Sequence, residues 1–332
     1  MKFGILASHQ FPQDANLTDS INGMLGVVEY ARDLDFDSVF TINHFVANLQ
    51  TPQALSMTSK IIEISGKMQV GTGILILPLY HPVHIAEEFA TLDHLSGGRV
   101  ILGVGAGYRD EEYDAFGISK AERGGRLKES VEIIKALWSG EPVHYEGKYY
   151  QLNGQKIGIR PLTPGGPPLW IGAGARAAVE RAAKLGDAWL TPGNTPNPDY
   201  FSKHLAIYDA AREEAGLPVE GVERPIIKEL YIAEDPEEAR RDVSEYLERE
   251  YRAYSQYGDL KWFETQKEAL LKNSLVFGSP EEVTAKVREL TDLGFNHFIF
   301  RCAWMGMPWE KAKRSLRLFA EEVRPHFKAD KA

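Results

Sequence analysis

Short apolar runs alternate with amphipathic stretches from the first residues of the chain almost to the last. Runs at 3–7, 37–42, 70–77, 100–104, 169–171, 188–191, 226–232 and 297–301 have the length and character of buried strands. Between them lie helical patterns. Thr18 can cap a helix whose apolar face is Ile21, Met24, Leu25, Val28 and Leu34, spaced largely three or four apart. Pro82 suits the first position of a helix carrying Ile85, Phe89 and Leu92, and Gly97-Gly98 stops it. Further helices are expected over 52–65, 121–138, 175–185, 200–215, 280–293 and 309–323.

Two stretches break the rhythm. Residues 141–168 are rich in Gly and Pro but hold Tyr145, Tyr149 and Tyr150, so they read as a folded excursion rather than a linker. Residues 234–275 are charged and helical in pattern, with Tyr246, Tyr251, Tyr254, Tyr257, Trp262 and Phe263 forming either an apolar lid or the packed core of an insertion. Eight buried strands, each followed by a helix, indicate a parallel sheet covered by helices. Eight is also the number that closes a (β/α)8 TIM barrel, expected here as one domain over 1–332. The rival is an open doubly wound sheet with a second domain.

Composition narrows the function. With 43% hydrophobic and 26% charged residues the chain can bury a large core, which excludes disorder as a whole. Lys+Arg 38 against Asp+Glu 47 gives a net charge of −9, which argues against nucleic acid or an anionic membrane as the main partner. One cysteine, Cys302, allows neither an internal disulfide nor a Cys-based zinc cluster. The longest apolar run, at 73–80, is less than half of the ~20 residues that span a bilayer, and the polar Ser8-His9-Gln10 comes too early for a signal peptide. A cytoplasmic protein is expected.

In a barrel the chemistry gathers at the C-terminal strand ends. Residues 169–177 read as strand, Gly-x-Gly turn and helix start, so that bare backbone amides and the helix dipole converge on one point. Gly172, Gly174 and Ala177 also fit G-x-G-x-x-A, but that strand is followed by Leu190-Thr191-Pro192, with no acidic residue for a ribose. Phosphate binding is therefore expected without a Rossmann domain. Gly103, Gly105 and Gly107 are either a bare strand end against which a flat ring can lie or a tight turn. The carboxylates of Asp110, Glu111 and Glu112 would repel a phosphate there. His44 is a candidate acid or base, the alternative being a polar rim residue. Metal is not expected: His81-x-x-His84 lacks a third ligand and the H-E-x-x-H order. Arg123 and Arg126 either close on an anion or pair with Glu122 and Glu129, and residues 304–307, Trp-Met-Gly-Met, offer an apolar pocket wall.

The opening residues 1–6, Asn43-His44-Phe45, Val70-Gly71-Thr72-Gly73 running on to His81-Pro82, Gly97-Gly98-Arg99 and Gly103-x-Gly105-x-Gly107 carry a family resemblance. So do Arg126-Leu127, Leu137-Trp138, the turn at 170–175 and Gly278-Ser279-Pro280. Together they resemble bacterial luciferase-like flavin-dependent monooxygenases, in order and over almost the whole chain. The resemblance implies a barrel that binds reduced FMN, or a deazaflavin relative, at its mouth. By position it makes His44 the catalytic histidine. It implies a coenzyme-holding set of Thr72, Gly73 and Ile74, with a non-prolyl cis peptide between the last two, Gly105, Gly107, a phosphate-side Arg126, and Gly172, Ala173, Gly174 and Ala175.

Three departures stand out. Luciferase itself has Cys-Arg in place of Gly105-Ala106, so light emission from aldehydes is not implied. An acidic residue often precedes the family's histidine; here it is Asn43, which leaves His44 without an evident charged partner. The sugar-phosphate dehydrogenases of the deazaflavin branch carry Glu in place of Tyr108, which speaks against their reaction but not their cofactor. The leading expectation is a two-component monooxygenase that uses reduced FMN and dioxygen on a small apolar molecule. A partner flavin reductase would supply the FMN, and a homodimer is expected. The alternatives are a deazaflavin-dependent hydride-transfer enzyme and a non-catalytic flavin-binding protein.

Overall fold

The computed structural model describes residues 1–255, 269 and 275–327. Strands β1 (Lys2–Ala7), β2 (Ser38–Thr41) and β3 (Gln69–Thr72) are followed by a two-residue β4 (Leu75–Ile76) and by β5 (Val100–Gly105). A hairpin of β6 (Val143–Glu146) and β7 (Gln151–Gln155) precedes β8 (Leu169–Gly172), β9 (Ala188–Pro192), β10 (Pro225–Ile232), β11 (Leu275–Gly278) and β12 (His297–Arg301). All ladders outside the hairpin are parallel. The order β1-β2-β3-β5-β8-β9-β10-β12 returns to β1 through the β1–β12 ladder, so eight strands close a barrel. This is the expected (β/α)8 architecture, not the open sheet.

The barrel interior is packed. Phe40 and Trp170 stack at 5.4 Å in a cluster with Leu6, Ile101, Leu190 and Ile299. Large rings from some strands require bare backbone on their neighbours: a Cβ on Gly71 would lie 2.4 Å from the Phe40 ring. At the N-terminal end of the strands, His297 is held between Ser38 Oγ at 2.6 Å and Glu223 at 2.8 Å, fully buried. That polar plug lies far along the strand from the mouth, where β12 ends at Arg301.

Several expectations shift. The first helix is Leu17–Asp33, capped by Asn16, whose side chain accepts from the Asp19 amide; Thr18 lies inside it. The third apolar run divides into β3 and β4, with the Gly73–Ile74 peptide cis between them. The excursion at 141–168 contains the β6–β7 hairpin. β11, unforeseen, is a four-residue run that pairs with the far half of β10 outside the ring. Ser279 then caps the helix Pro280–Asp292 through a reciprocal capping box with Glu282. In the second insertion, helical turns run Pro236–Asp242, Val243–Leu247 and Glu248–Ser255. Tyr246 and Tyr251 are buried core members there, while the side chain of Tyr254, and Tyr257, Trp262 and Phe263 entirely, lie outside the described residues. Among the described residues no helix is long and apolar enough to cross a membrane.

Candidate active site

His44 stands in the loop after β2, at the C-terminal mouth. Its Nδ1 lies 2.9 Å from Oε1 of Glu112, whose side chain is fully buried. Glu112 comes from a short helix, Asp110–Ala115, that follows β5. The same oxygen accepts from the Phe45 amide at 2.9 Å, so one carboxylate fixes both the ring and the backbone beside it. Arg109 adds a clamp: its Nη1 donates to the Phe45 carbonyl, its Nη2 donates to the Val46 carbonyl, and Nη1 lies 3.6 Å from Glu112. Asn43 does not leave His44 without a charged partner. Glu112 supplies it from 68 residues away, a pairing no local spacing announces. The carboxylate read as repelling a phosphate instead faces the histidine.

Other contacts hold this loop. His9, in the loop after β1, is completely buried and its Nε2 accepts from the Ile42 amide at 3.2 Å. Burial pulls its pKa from 6.5 down to about 4, so the ring stays neutral at ordinary pH. Asn43 Oδ1 accepts from the Ile76 amide, which ties the His44 loop to β4. The Tyr108 ring stands edge-on to His44 with centroids 6.0 Å apart.

Opposite the histidine loop the glycines form a seat. A Cβ on Gly105 would lie 2.9 Å from Ile74 Cδ1, and one on Gly172 would lie 2.8 Å from Ile74 Cγ2. The bare faces of these two strand ends are thus occupied by the Ile74 side chain, and the surface offered to a flat ring is Ile74 itself. Gly107, at φ +66°, gives room to Ile76 in the same way. Thr72 is buried beneath, its hydroxyl donating to the Gly103 carbonyl at 2.6 Å and accepting from the Gly103 amide at 3.1 Å, which stitches β3 to β5.

The turn after β8 leads into the helix Arg176–Leu185, with Ala175 as its cap residue. Trp189 Nε1 donates to the Ala173 carbonyl and the Tyr200 hydroxyl to the Gly174 carbonyl. With those acceptors engaged, Gly174, Ala175, Arg176 and Ala177 present an exposed helix start, suited to an anion. Of the two readings of Arg126 the ion pair is present: its Nε donates to Glu122 at 2.9 Å, and the guanidinium lies over the Tyr149 ring at 4.9 Å. His81 caps the helix Pro82–Ser96, accepting from the Val83 amide.

The remaining side of the mouth holds a network that sequence reading missed. Glu229 on β10 accepts from Trp304 Nε1 at 2.7 Å and faces Arg301 of β12 at 3.4 Å. Arg301 also binds Glu250 at 2.9 Å, and Glu250 Oε2 accepts from the Met305 amide. Glu250 belongs to the insertion helix Glu248–Ser255, which is thereby fastened to two strand ends. Burial raises the Glu250 pKa above the usual carboxylate range, opposed by Arg301.

Comparison with known proteins places this geometry. A family model described as luciferase-like monooxygenase matches residues 1–297. A relative from Amycolatopsis mediterranei, identified as an F420-dependent glucose-6-phosphate dehydrogenase, is 30% identical over 92% of this chain and 96% of its own. Another so identified, from Segniliparus rotundus, is 30% identical over 91% of this chain and 94% of its own. Among solved structures, the monooxygenase RslO1 from Streptomyces bottropensis superposes with a TM-score of 0.88 at 26% identity, covering 99% of this chain and 100% of that one.

Proposed function

The chain belongs to the luciferase-like monooxygenase family of oxidoreductases, and from that premise we propose that it is a deazaflavin-dependent dehydrogenase acting on a hydroxyl-bearing organic molecule. The expectation of a monooxygenase using reduced FMN and dioxygen is corrected. Relatives at 30% identity along nearly the whole chain are F420-dependent dehydrogenases, which favours the deazaflavin alternative instead.

The observation that carries this reading is the His44–Glu112 pair. A bound deazaflavin supplies a two-electron hydride acceptor that works without dioxygen. Glu112, accepting from Nδ1–H, fixes the tautomer in which Nε2 carries the lone pair. With coenzyme and substrate bound, Nε2 would take the substrate's hydroxyl proton, and the Glu112 carboxylate, 2.9 Å from Nδ1, would balance the charge the ring then gains. Arg109 and His9 keep the loop in place, through the Phe45 and Val46 carbonyls and the Ile42 amide respectively.

The seat fits a flat coenzyme. Ile74 backs the ring because Gly105 and Gly172 leave it room, and the amides from Gly174 to Ala177 take a phosphate. Tyr108 stands where the sugar-phosphate dehydrogenases have Glu, so the hydroxyl-bearing substrate is expected to be other than a sugar phosphate. The test is anaerobic incubation with oxidised deazaflavin and simple alcohols, followed by the loss of the coenzyme's visible absorbance. Reduction at the same rate in air and under nitrogen is expected. Tight coenzyme binding with no reduction by any alcohol would refute the dehydrogenase reading.

A further inference from the structure

The turn that carries His44 is strained at Val46. Among the described residues, two that are not glycine have a left-handed backbone, Asp35 at φ +58° and Val46 at φ +46°. Aspartate tolerates that region, but a β-branched side chain crowds its own backbone there, so Val46 is a true outlier. Packing does not offset the cost, because Val46 is 64% exposed. Such a conformation persists only where the surroundings impose it, and it collects at sites where a group must be held in one place.

Four backbone groups of residues 44–46 are held by side chains. The His44 carbonyl accepts from Gln53 Nε2 at 3.3 Å, and the Phe45 amide donates to Glu112 Oε1 at 2.9 Å. The Phe45 and Val46 carbonyls accept from Nη1 and Nη2 of Arg109, at 3.2 and 3.3 Å. One buried, planar guanidinium thus spans two successive carbonyls, a fork that a lysine ammonium does not reproduce. Arg109 stands at the cap of the helix Asp110–Ala115 and Glu112 in its first turn, so a single turn grips Phe45 on both sides. The Phe45 ring packs at 4.7 Å on Phe116, which ends the same helix. Glu112 Oε1 is also the atom that faces His44 Nδ1. A turn relaxed out of the left-handed region would carry the Phe45 amide and the His44 ring away from that oxygen together.

We propose that Arg109 is a positioning residue: it holds the Val46 turn in its left-handed form, and that form keeps His44 against Glu112. The turn has two states, and the guanidinium favours the one that the valine backbone opposes. The bearing on catalysis rests on the proposed dehydrogenase reaction, but the placement of His44 is measurable without turnover.

Arg109→Lys keeps the positive charge beside Glu112 and gives up the two-carbonyl fork. Val46→Gly removes the strain, since glycine enters the left-handed region freely. Nitrogen-15 spectra of the His44 ring in the coenzyme-free protein, assigned by comparison with His44→Ala, should show a single Nδ1–H tautomer. Arg109→Lys is expected to mix the tautomers, and Arg109→Lys with Val46→Gly to restore the single one. With deazaflavin and an alcohol, Arg109→Lys should lower kcat at least tenfold with KM within threefold. Adding Val46→Gly should return kcat to within threefold of Val46→Gly alone, and Val46→Gly alone should raise the unfolding midpoint. Thermal unfolding confirms that each variant folds, and where Arg109→Lys does not, Arg109→Gln takes its place. Mixing and rescue of the tautomer with no turnover in the wild type would support the positioning role and sink the dehydrogenase reaction. A single tautomer in the folded Arg109 variant, a mixed one in the wild type, or a loss that Val46→Gly leaves unrepaired would overturn the proposal.

Discussion

At the scale of single residues, one carboxylate does two things. Glu112 orients His44 and receives the Phe45 amide, so its removal disturbs both ring and backbone, whereas His44→Ala removes only the proton acceptor. His44→Ala is expected to lower kcat by ~10²–10⁴-fold while coenzyme affinity, read by fluorescence titration, stays within a few-fold. Glu112→Gln should keep the amide contact but weaken the ring's orientation, giving a smaller fall in kcat than His44→Ala. Equal losses in the two variants would mean that Glu112 is more than a positioning group. His9 has a pH signature of its own. Its pKa is about 4 in the fold against 6.5 unfolded, so between those values the unfolded chain binds a proton that the folded chain refuses. Stability is therefore full above pH 6.5 and falls toward pH 4, by roughly 3 kcal/mol from this group. Denaturant unfolding across that window should show a shallower acid decline for His9→Gln than for the wild type.

At the scale of elements, strand ends are made bare so that a side chain from a neighbouring strand can sit on them. Ile74 occupies the faces of Gly105 and Gly172. Gly105→Ala must displace Ile74 by a few tenths of an ångström and so tilt the surface that backs the coenzyme. At least a tenfold rise in the coenzyme Kd is expected, with the unfolding midpoint little changed; an unaltered Kd would remove Ile74 from the coenzyme seat. Helix ends follow local rules more simply. Ser279→Ala breaks the capping box with Glu282 and should cost about 1 kcal/mol in chemical denaturation without touching activity. These caps and stops are legible from neighbouring residues, because Asn16, Ser279 and Gly97 act within one turn of themselves.

At the scale of the whole molecule, the second insertion is fastened to the barrel mouth by buried charge. Arg301 joins Glu229 of β10 to Glu250 of the insertion helix. Arg301→Met would strand two buried carboxylates, an effect on the order of 3–5 kcal/mol. Lower stability in urea, together with faster proteolytic cleavage within 234–275, is the expected result. Wild-type cleavage rates in a folded variant would show that Arg301 does not hold the insertion in place. The reading of eight strands from runs of apolar residues holds because each strand is buried on both faces and so keeps a near-continuous apolar signature. β11 escaped it because four residues beside a charged insertion carry too little pattern to separate strand from helix.

By itself, then, the chain determined the barrel and the helix stops and marked His44 and the glycine-rich strand ends as candidates, since each is written in residues near one another in sequence. Tertiary structure alone decided that Glu112 meets His44, that Ile74 covers Gly105 and Gly172, and that Glu250 reaches Arg301. The physical reason is range. Burial patterns and caps act over one or two turns, whereas charge pairing and steric fit depend on which strand ends the closed barrel brings face to face.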